Sequence, residues 1–280
     1  MAAPDFVVVG HVTLDTIAGA VRPGGAALYA AITAHRLGLT VGVLTSHGAD
    51  FPVDVFPPRI EVITVEAAQT TAFEHRDADG VRSLRLTEAA RPLGVADVPP
   101  DWAETPIVLL APIFNEVDPH VVTAFSDAAI GAAAQGWLRG LGPDGVVKPV
   151  TWAPPPFLVA SLQALFVSRE DVGQDVAGAY EMFQRVPIGV LTAGRDGALL
   201  FVNGERYEVR PRPARELDDT GAGDVFAAAF LVEYDRHGNA WEAAALAACA
   251  ASLAVEGEAV NGIPEPAALD AALEVYRAVD

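Results

Sequence analysis

The residues best suited to chemistry lie in segment 218–224, which reads DDTGAGD. The small residues before its last acid allow backbone N–H groups to converge on an anion: Gly221, Ala222 and Gly223. An apolar, helix-favouring run over 225–234 follows, and a helix that begins there adds partial positive charge. Asp224 is then placed to take a proton from a hydroxyl that attacks a phosphoryl group. Taken alone, the segment also fits a tight turn with an ordinary N-terminal helix carboxylate.

Such a site needs a fold that brings distant segments together, and short apolar runs predict one. Residues 6–9, FVVV, read as a buried strand. Residues 26–38 read as a helix that ends at a glycine, and 40–44 read as the next strand. This β-α-β start predicts a parallel sheet in an α/β sandwich. Further strands with room for intervening helices are predicted at 107–110, 128–134, 164–167 and 188–191.

Polar and apolar residues alternate over 70–87, which predicts a hairpin around a turn at 77–80. The hairpin would project from one principal domain that spans 1–280. A chain of 280 residues is long enough to bury one large core.

Composition narrows the class of protein. A net charge of −19 repels a phosphate backbone, so nucleic acid is not an expected partner. Cys249 has no partner cysteine in the chain, which fits a reducing, cytoplasmic compartment. The first ten residues lack the basic region and long apolar core of a signal peptide. Apolar runs stop short of the ~18 residues of a membrane span, so a soluble protein without a membrane partner is expected.

Four segments, in this order, resemble the ribokinase-like, or PfkB, carbohydrate kinase family. They are GHVTLD at 10–15, GGAALYAAITAHRLG at 24–38, LTAGRDGALLF at 191–201 and DTGAGD at 219–224. The resemblance covers nearly the whole chain, and its last segment is the most specific. It implies a three-layer α/β/α sandwich with a central, mainly parallel sheet and a small β lid, for which 70–87 is the candidate.

The resemblance also implies roles for single residues. Asp15 corresponds to the aspartate that grips sugar hydroxyls, and Gly24 and Gly25 to the paired glycines of the substrate side. The nucleotide-binding strand and loop would supply Thr192, Gly194 and Gly197. Asp224 would be the catalytic base behind an anion hole at 221–223, with ATP and Mg²⁺ as cofactors.

Several positions depart from the family pattern. Tyr29 stands where an asparagine commonly touches the substrate, and it could stack on a substrate face or only pack on its helix. Ser168 and Asp171 take the places of an Asn-x-x-Glu motif that helps to organise magnesium and phosphate. Alternatively, Ser168 only caps a short helix whose first turn contains Asp171.

Other assignments rest on the same resemblance. Arg139 stands where relatives have an arginine that contacts phosphate, although it could be an ordinary surface residue. Asn115 follows a strand and could face the substrate or belong to a plain loop. Asp218 matches a position that binds a monovalent cation in some relatives, which makes K⁺ a candidate activator. Ala248 would lie near adenine, or would simply pack in an alanine-rich core helix.

Asp15 and Gly24 are closer in sequence than the family usually has them, which predicts that part of the lid is missing. A reduced lid leaves both a monomer and a homodimer open. The expected function is an ATP-dependent kinase that phosphorylates a sugar or sugar-like polyol, a small-molecule substrate. Two alternatives are a nucleoside kinase, marked by Tyr29 or Trp137 stacking on a base, and a non-catalytic nucleotide-binding regulator.

Overall fold

The computed structural model describes residues 2–78, 81–173 and 175–278. The strands are β1 Phe6–Val9, β2 Thr13–Ile17, β3 Ala20–Gly24, β4 Val41–His47, β5 Ile60–Glu66, β6 Thr71–Ala78, β7 Val81–Glu88, β8 Ile107–Leu110, β9 Ala129–Ala133, β10 Arg139–Leu141, β11 Val147–Pro149, β12 Leu162–Ser168, β13 Ile188–Thr192, β14 Ala198–Val202 and β15 Glu205–Val209. The α-helices are α1 Ala26–Arg36, α2 Pro156–Ser161, α3 Arg169–Val172, α4 Val176–Phe183, α5 Ala222–His237, α6 Ala240–Ala254 and α7 Pro266–Arg277.

Within these residues, nine strands form the central sheet in the order β15-β14-β13-β12-β9-β8-β1-β4-β5. All pairings from β13 to β5 are parallel, and β14 and β15 add an antiparallel edge. Continuous apolar sequence makes this arrangement stable, because every residue of β1 and β8 is buried. Each strand predicted from such a run is present, with its ends shifted by at most three residues.

Helices cover the two faces of the sheet unequally. The long helices α1, α5, α6 and α7 bury one face around side chains such as Leu28 and Phe230. The opposite face is covered by short helices and turns around Trp102, Leu158 and Phe183. Both faces are therefore closed, and the predicted α/β/α sandwich is confirmed.

The sequence prediction left room for helices between these strands, and some of these connections contain only short helical turns. Between β8 and β9 the chain forms only a 3₁₀ helix, Pro119–Ala124. Its sequence PHVVTA contains three consecutive β-branched residues, which favour a continuous helix weakly.

A second sheet stands above the carboxyl ends of the parallel strands, in the order β3-β2-β6-β7. Strands β6 and β7 pair antiparallel, as expected for 70–87, while Asp79 and Gly80 in the predicted turn lie outside the described residues. Whether part of the family's lid is missing between Asp15 and Gly24 stays a prediction. This segment forms the β2–β3 hairpin, which turns at Ala18 and Gly19 with φ of 49° and 82°.

The described residues contain no helix long and apolar enough to span a membrane.

Candidate active site

The predicted anion-binding turn lies at the start of α5. Gly221 is the N-cap residue with φ 76°, and the helix begins at Ala222, three residues before the predicted apolar run. The first turn of a helix leaves its amides without intrahelical partners. The N–H groups of Gly223 and Asp224 are therefore available to an anion, while the N–H of Ala222 bonds the carbonyl of Asp219 at 3.3 Å.

Asp224 is the acidic residue at the end of segment 218–224, and it lies in the first turn of helix α5. Burial raises the pKa of Asp224 to about 7; the Arg139 guanidinium lowers it, and the neighbouring Asp171 carboxylate raises it further. A carboxyl group with a pKa near neutrality is well matched to general base catalysis.

Asp15 provides a second perturbed carboxyl group, on β2. Its side chain is buried, and Thr13 Oγ1 donates a hydrogen bond to its Oδ2 at 3.1 Å. Burial raises the pKa of Asp15 to about 6, against the opposing effects of Thr13 and the Arg139 charge. A Cβ on Gly24 would lie 2.4 Å from Asp15 Oδ2, and Gly25, with φ 101°, would bring one within 2.7 Å of the His11 carbonyl oxygen. Gly24 thus lets the backbone pass close to Asp15, and Gly25 lets it pass close to the backbone after β1.

Arg139 is the positively charged residue that acts on both Asp224 and Asp15. Its guanidinium Nη1 donates to the Ile113 carbonyl at 3.3 Å, and its own carbonyl accepts a hydrogen bond from Asn115 Nδ2 at 2.8 Å. Burial lowers the pKa of Arg139, and four carboxylates oppose this effect: Asp171, Asp224, Glu116 and Asp15. Arg139 therefore lies in the acidic cleft instead of on an ordinary surface. Asn115 is exposed beside it, with φ 59°.

Glu116 holds the loops that frame this cleft. Its buried carboxylate accepts hydrogen bonds from the amides of His11 at 3.1 Å, Ile113 at 2.8 Å and Phe114 at 2.7 Å. These bonds join the loop after β1 to the loop after β8. Glu116 is thus engaged as a clamp between two substrate-side loops.

Ser168 and Asp171 form a reciprocal cap at the start of α3. Ser168 Oγ accepts from the Asp171 amide at 3.0 Å, and Asp171 Oδ2 accepts from Ser168 Oγ at 2.7 Å. The capping alternative is therefore present in the structure. It coexists with a place in the site, because Asp171 acts electrostatically on both Asp224 and Arg139.

The loop after β13 lies beside this cap, since Ser168 and Thr192 are register partners in neighbouring parallel strands. Gly194 and Gly197 both have positive φ, 55° and 86°. A Cβ on Gly197 would lie 2.2 Å from the Val209 carbonyl oxygen, so the tight turn requires glycine.

A cavity of about 650 Å³ opens next to this loop. Its walls include Ala193 and Asp196 of the loop, Ala245 and Trp241 of α6, and Tyr276 of α7. This volume suits the nucleoside part of a nucleotide. The predicted adenine neighbour, Ala248, lies one turn further along α6 and is not one of the lining residues.

Asp218 is engaged by backbone amides. Its Oδ1 accepts from Thr220 N and its Oδ2 from Ala259 N, each at 3.0 Å. Burial raises the pKa of Asp218, but the hydrogen bonds from Thr220 and Ala259 outweigh it and hold the pKa below its usual value. Among the described residues, no group of three or more His, Cys, Asp or Glu side chains is placed to hold a metal ion. K⁺ activation through Asp218 stays a prediction.

Two aromatic candidates for stacking on a base are already packed. Trp137 is buried, stacks on Trp152 at 4.8 Å between ring centroids and donates its indole N–H to the Val117 carbonyl. Tyr29 is 3% exposed, and a Cβ on Gly221 would lie 2.3 Å from its ring. Neither side chain offers a free ring face to a ligand.

Arg22 is a site residue that the sequence reasoning missed. It lies on β3 directly opposite Asp15, and its charge lowers the pKa values of Tyr29 and Asp218. In the sequence, Arg22 is distinguished only by its position between two of the segments that resemble the family, 10–15 and 24–38. Its proximity to the cleft depends on the β2–β3 hairpin.

Comparison with known proteins finds similarity to kinases. A family model described as "pfkB family carbohydrate kinase" matches residues 162–267. A cytidine kinase of Thermococcus kodakarensis is 22% identical over 83% of this chain and 89% of its own length. An inositol 3-kinase of Oryza sativa subsp. japonica is 27% identical over 79% of this chain, and the match spans only 58% of that relative.

Solved structures extend the fold comparison over almost the whole chain. A pyrophosphate-dependent kinase in the ribokinase family, in a sulfate complex, superposes with a TM-score of 0.79 at 22% identity, covering 93% of this chain and 99% of the other. Ribokinase of Arabidopsis thaliana, complexed with ribose and ATP, superposes with a TM-score of 0.70 at 20% identity, covering 97% and 99%. At this level of identity, the two superpositions establish the fold.

Proposed function

We propose that this chain, whose residues 162–267 match the model described as "pfkB family carbohydrate kinase", transfers the γ-phosphate of ATP to a hydroxyl of a sugar or sugar-like polyol. Asp224 is the catalytic base. The observation that carries the proposal is the position of Asp224, with a pKa of about 7, at a helix start whose amides can bind an anion.

In the proposed reaction, Asp15 binds and orients the acceptor, and Asp224 takes the proton from the attacking hydroxyl. The amides of Gly223 and Asp224 and the guanidinium of Arg139 stabilise charge on the phosphoryl group in flight. The four-stranded lid sheet covers the cleft and excludes water, which would otherwise be phosphorylated in place of the acceptor.

The residues present fit a magnesium ion that is held mainly through phosphate oxygens. Asp171 would contribute a ligand, directly or through water, because its Oδ1 makes no hydrogen bond while Oδ2 is engaged by Ser168. Bound Mg²⁺ supplies neutralisation of the charge on the transferred group.

ATP is the proposed donor because the cavity beside the loop after β13 has room for a nucleoside. Pyrophosphate, the donor named for one structural relative, would leave that cavity unused. A cytoplasmic, reducing location remains part of the proposal and rests on the cysteine content.

Neither alternative gains an observation from the geometry of the site. A nucleoside kinase is favoured by the cytidine kinase relative, but Tyr29 and Trp137 are not free to stack on a base. A non-catalytic regulator would have little reason to keep a buried base next to an anion-binding turn.

An assay of ADP release over a panel of myo-inositol, ribose, fructose and cytidine, each with Mg²⁺ and ATP, tests the proposal. Asp224→Asn should lower turnover by about 10³-fold or more while ATP binding is retained. Near-normal turnover of this variant would exclude Asp224 as the base.

A further inference from the structure

The carboxylate of Glu116 is held by main-chain amides of two loops. Glu116 is 5% exposed, and its Oε1 accepts hydrogen bonds from the N–H groups of His11 at 3.1 Å and Ile113 at 2.8 Å. Its Oε2 accepts from the N–H of Phe114 at 2.7 Å. Hydrogen bonds to an ionised acceptor are stronger than those between neutral groups. Glu116 therefore fixes the path of the main chain after β8 relative to the main chain after β1.

The loop after β8 is folded tightly by these bonds. Asn115 lies between the bonded amides and the carboxylate with φ 59°, a left-handed conformation that asparagine adopts more readily than most residues. Its N–H bonds the Gly136 carbonyl at 3.1 Å, and a Cβ on Gly136 would lie 2.4 Å from the Pro112 carbonyl carbon. The loop is thus in close contact with the segment that leads into β10.

Arg139, the first residue of β10, is held by this loop at two points. Its Nη1 donates to the Ile113 carbonyl at 3.3 Å, and Asn115 Nδ2 donates to the Arg139 main-chain carbonyl at 2.8 Å. The N–H of Ile113 bonds Glu116, whereas its C=O bonds the guanidinium. A single residue therefore connects the carboxylate to the cation of the cleft.

The other side of this connection is anchored at His11. The His11 ring lies 2.7 Å from Thr71 Oγ1 and 2.9 Å from the Arg91 carbonyl. Immediately before it, a Cβ on Gly10 would lie 2.2 Å from the Ala111 carbonyl oxygen, so the loops after β1 and β8 run in contact. His11 thus gives the carboxylate an attachment that is itself bonded on both ring nitrogens.

We propose that Glu116 is a positioning residue for phosphoryl transfer, which holds the guanidinium of Arg139 in the cleft by folding the loop after β8. The inference rests on the proposed kinase function. Glu116 acts through Arg139 instead of on a substrate, because it is enclosed and both of its oxygens are engaged by main-chain N–H groups.

Displacement of Arg139 would change the titration of the base. Two charges act on Asp224: Arg139, which lowers its pKa, and Asp171, which raises it. Glu116→Gln should therefore raise the pKa of Asp224 above its wild-type value of about 7. Removal of a negative charge by itself would act in the opposite direction, because it favours the ionised form of a nearby carboxyl group. The direction of the change separates positioning from a direct effect of charge.

This pKa can be measured without turnover, by NMR titration of protein labelled with ¹³C-aspartate and with Asp224→Asn as the assignment. Glu116→Gln keeps the size of the side chain but turns an NH₂ group toward main-chain donors, so at least one hydrogen bond is lost. We expect the pKa of Asp224 to be higher than in wild type by about 0.5 or more. The matched control is Glu233→Gln, which should leave this pKa unchanged. Glu233 is also buried, but it lies about 14 Å from Asp224 along the axis of α5.

Steady-state kinetics with the best acceptor of the panel test the consequence for catalysis. Glu116→Gln should lower kcat by about tenfold, change the KM for ATP less than about twofold and move the acidic limb of kcat/KM to higher pH. In a double variant with Arg139→Met, kcat should be within about twofold of Arg139→Met alone, because the positioned group is already absent.

Asn115→Gly is a second variant, needed where Glu116→Gln does not fold. It permits the positive φ, removes the bond to the Arg139 carbonyl and should raise the pKa of Asp224 to a smaller extent. A pKa that is unchanged or lower in the folded variant, or independent losses of kcat in the double variant, would overturn the positioning role. Absence of phosphorylation by wild type over the whole panel would reject the kinase function, while the NMR titration would still decide whether Glu116 positions Arg139.

Discussion

Asp224 and Asp15 are held in an environment that favours their protonated forms. Burial raises their pKa values to about 7 and about 6, from 3.8. The folded protein therefore binds these protons more tightly than the unfolded chain does. The contribution of these two protons to the free energy of unfolding is present at low pH. It is lost as the pH rises through the folded-state pKa values of the two carboxyl groups. The site keeps its base at a cost in stability near neutral pH.

Replacement of this base should separate stability from activity. Asp224→Asn removes the ionisable group, so we expect a higher Tm than wild type at pH 8, where the wild-type carboxylate is charged and only partly exposed to solvent. The gain should be smaller at pH 5, where Asp224 is protonated in the folded state. Thermal unfolding of wild type and Asp224→Asn at pH 5 and pH 8 measures the difference in Tm. A gain that is the same at pH 5 and pH 8 would contradict the raised pKa.

Arg139 should set the pH at which the base becomes active. Its guanidinium lowers the pKa of Asp224, so Arg139→Met should move the acidic limb of kcat/KM to higher pH and lower turnover by about 10²-fold. Arg139→Lys keeps the charge and serves as the control, with a smaller displacement of the limb. A pH profile of Arg139→Met that coincides with wild type would place Arg139 outside the electrostatic field of the base.

At the scale of elements, continuous apolar runs were enough to predict the parallel strands. β8 was predicted residue for residue, and β1 likewise. The β2–β3 hairpin was missed because its turn, Ala18 and Gly19, lacks an Asn-Gly or Asp-Gly signal and puts a non-glycine residue at positive φ.

The candidate site was predictable where it is local in sequence. The turn at 218–224 contains the proposed anion-binding amides and the proposed base within seven residues, and the structure adds the N-cap at Gly221 and the engaged amide of Ala222. The contributions of Arg22 and Glu116 depend on tertiary contacts between the loops after β1 and β8 and the lid hairpin. No local pattern marks such contacts.

Substitution by alanine should affect the stability of the protein differently at two glycines of segment 218–224. Gly221 has φ 76° and is backed by the Tyr29 ring, so Gly221→Ala should destabilise the protein by about 1–3 kcal/mol and suppress turnover. Gly223 is in the first turn of α5, and a Cβ there meets no atom within 4 Å. Gly223→Ala should therefore have a Tm equal to or above wild type. Equal Tm values for the two variants would show that the turn does not depend on the left-handed conformation.

At the scale of the whole molecule, the lid is tied to the catalytic cleft at more than one place. The His11 ring lies 2.7 Å from Thr71 Oγ1 at the start of β6 and 2.9 Å from the Arg91 carbonyl after β7. The Leu86 amide of β7 bonds the Gly145 carbonyl in the β10–β11 hairpin, which begins at Arg139. These hydrogen bonds connect the lid to the loop after β1 and to the hairpin that contains Arg139.

The cavity proposed for the nucleoside of the donor is formed by the sheet edge together with α6 and α7. Trp241 lines this cavity and is 49% exposed, whereas Trp102 and Trp137 are buried. Its fluorescence should therefore respond to a ligand in the cavity. We expect ATP with Mg²⁺ to change the tryptophan emission and pyrophosphate with Mg²⁺ to leave it nearly unchanged. Trp241→Phe should abolish the ATP response, while turnover with pyrophosphate and no ATP response in wild type would reject ATP as the donor.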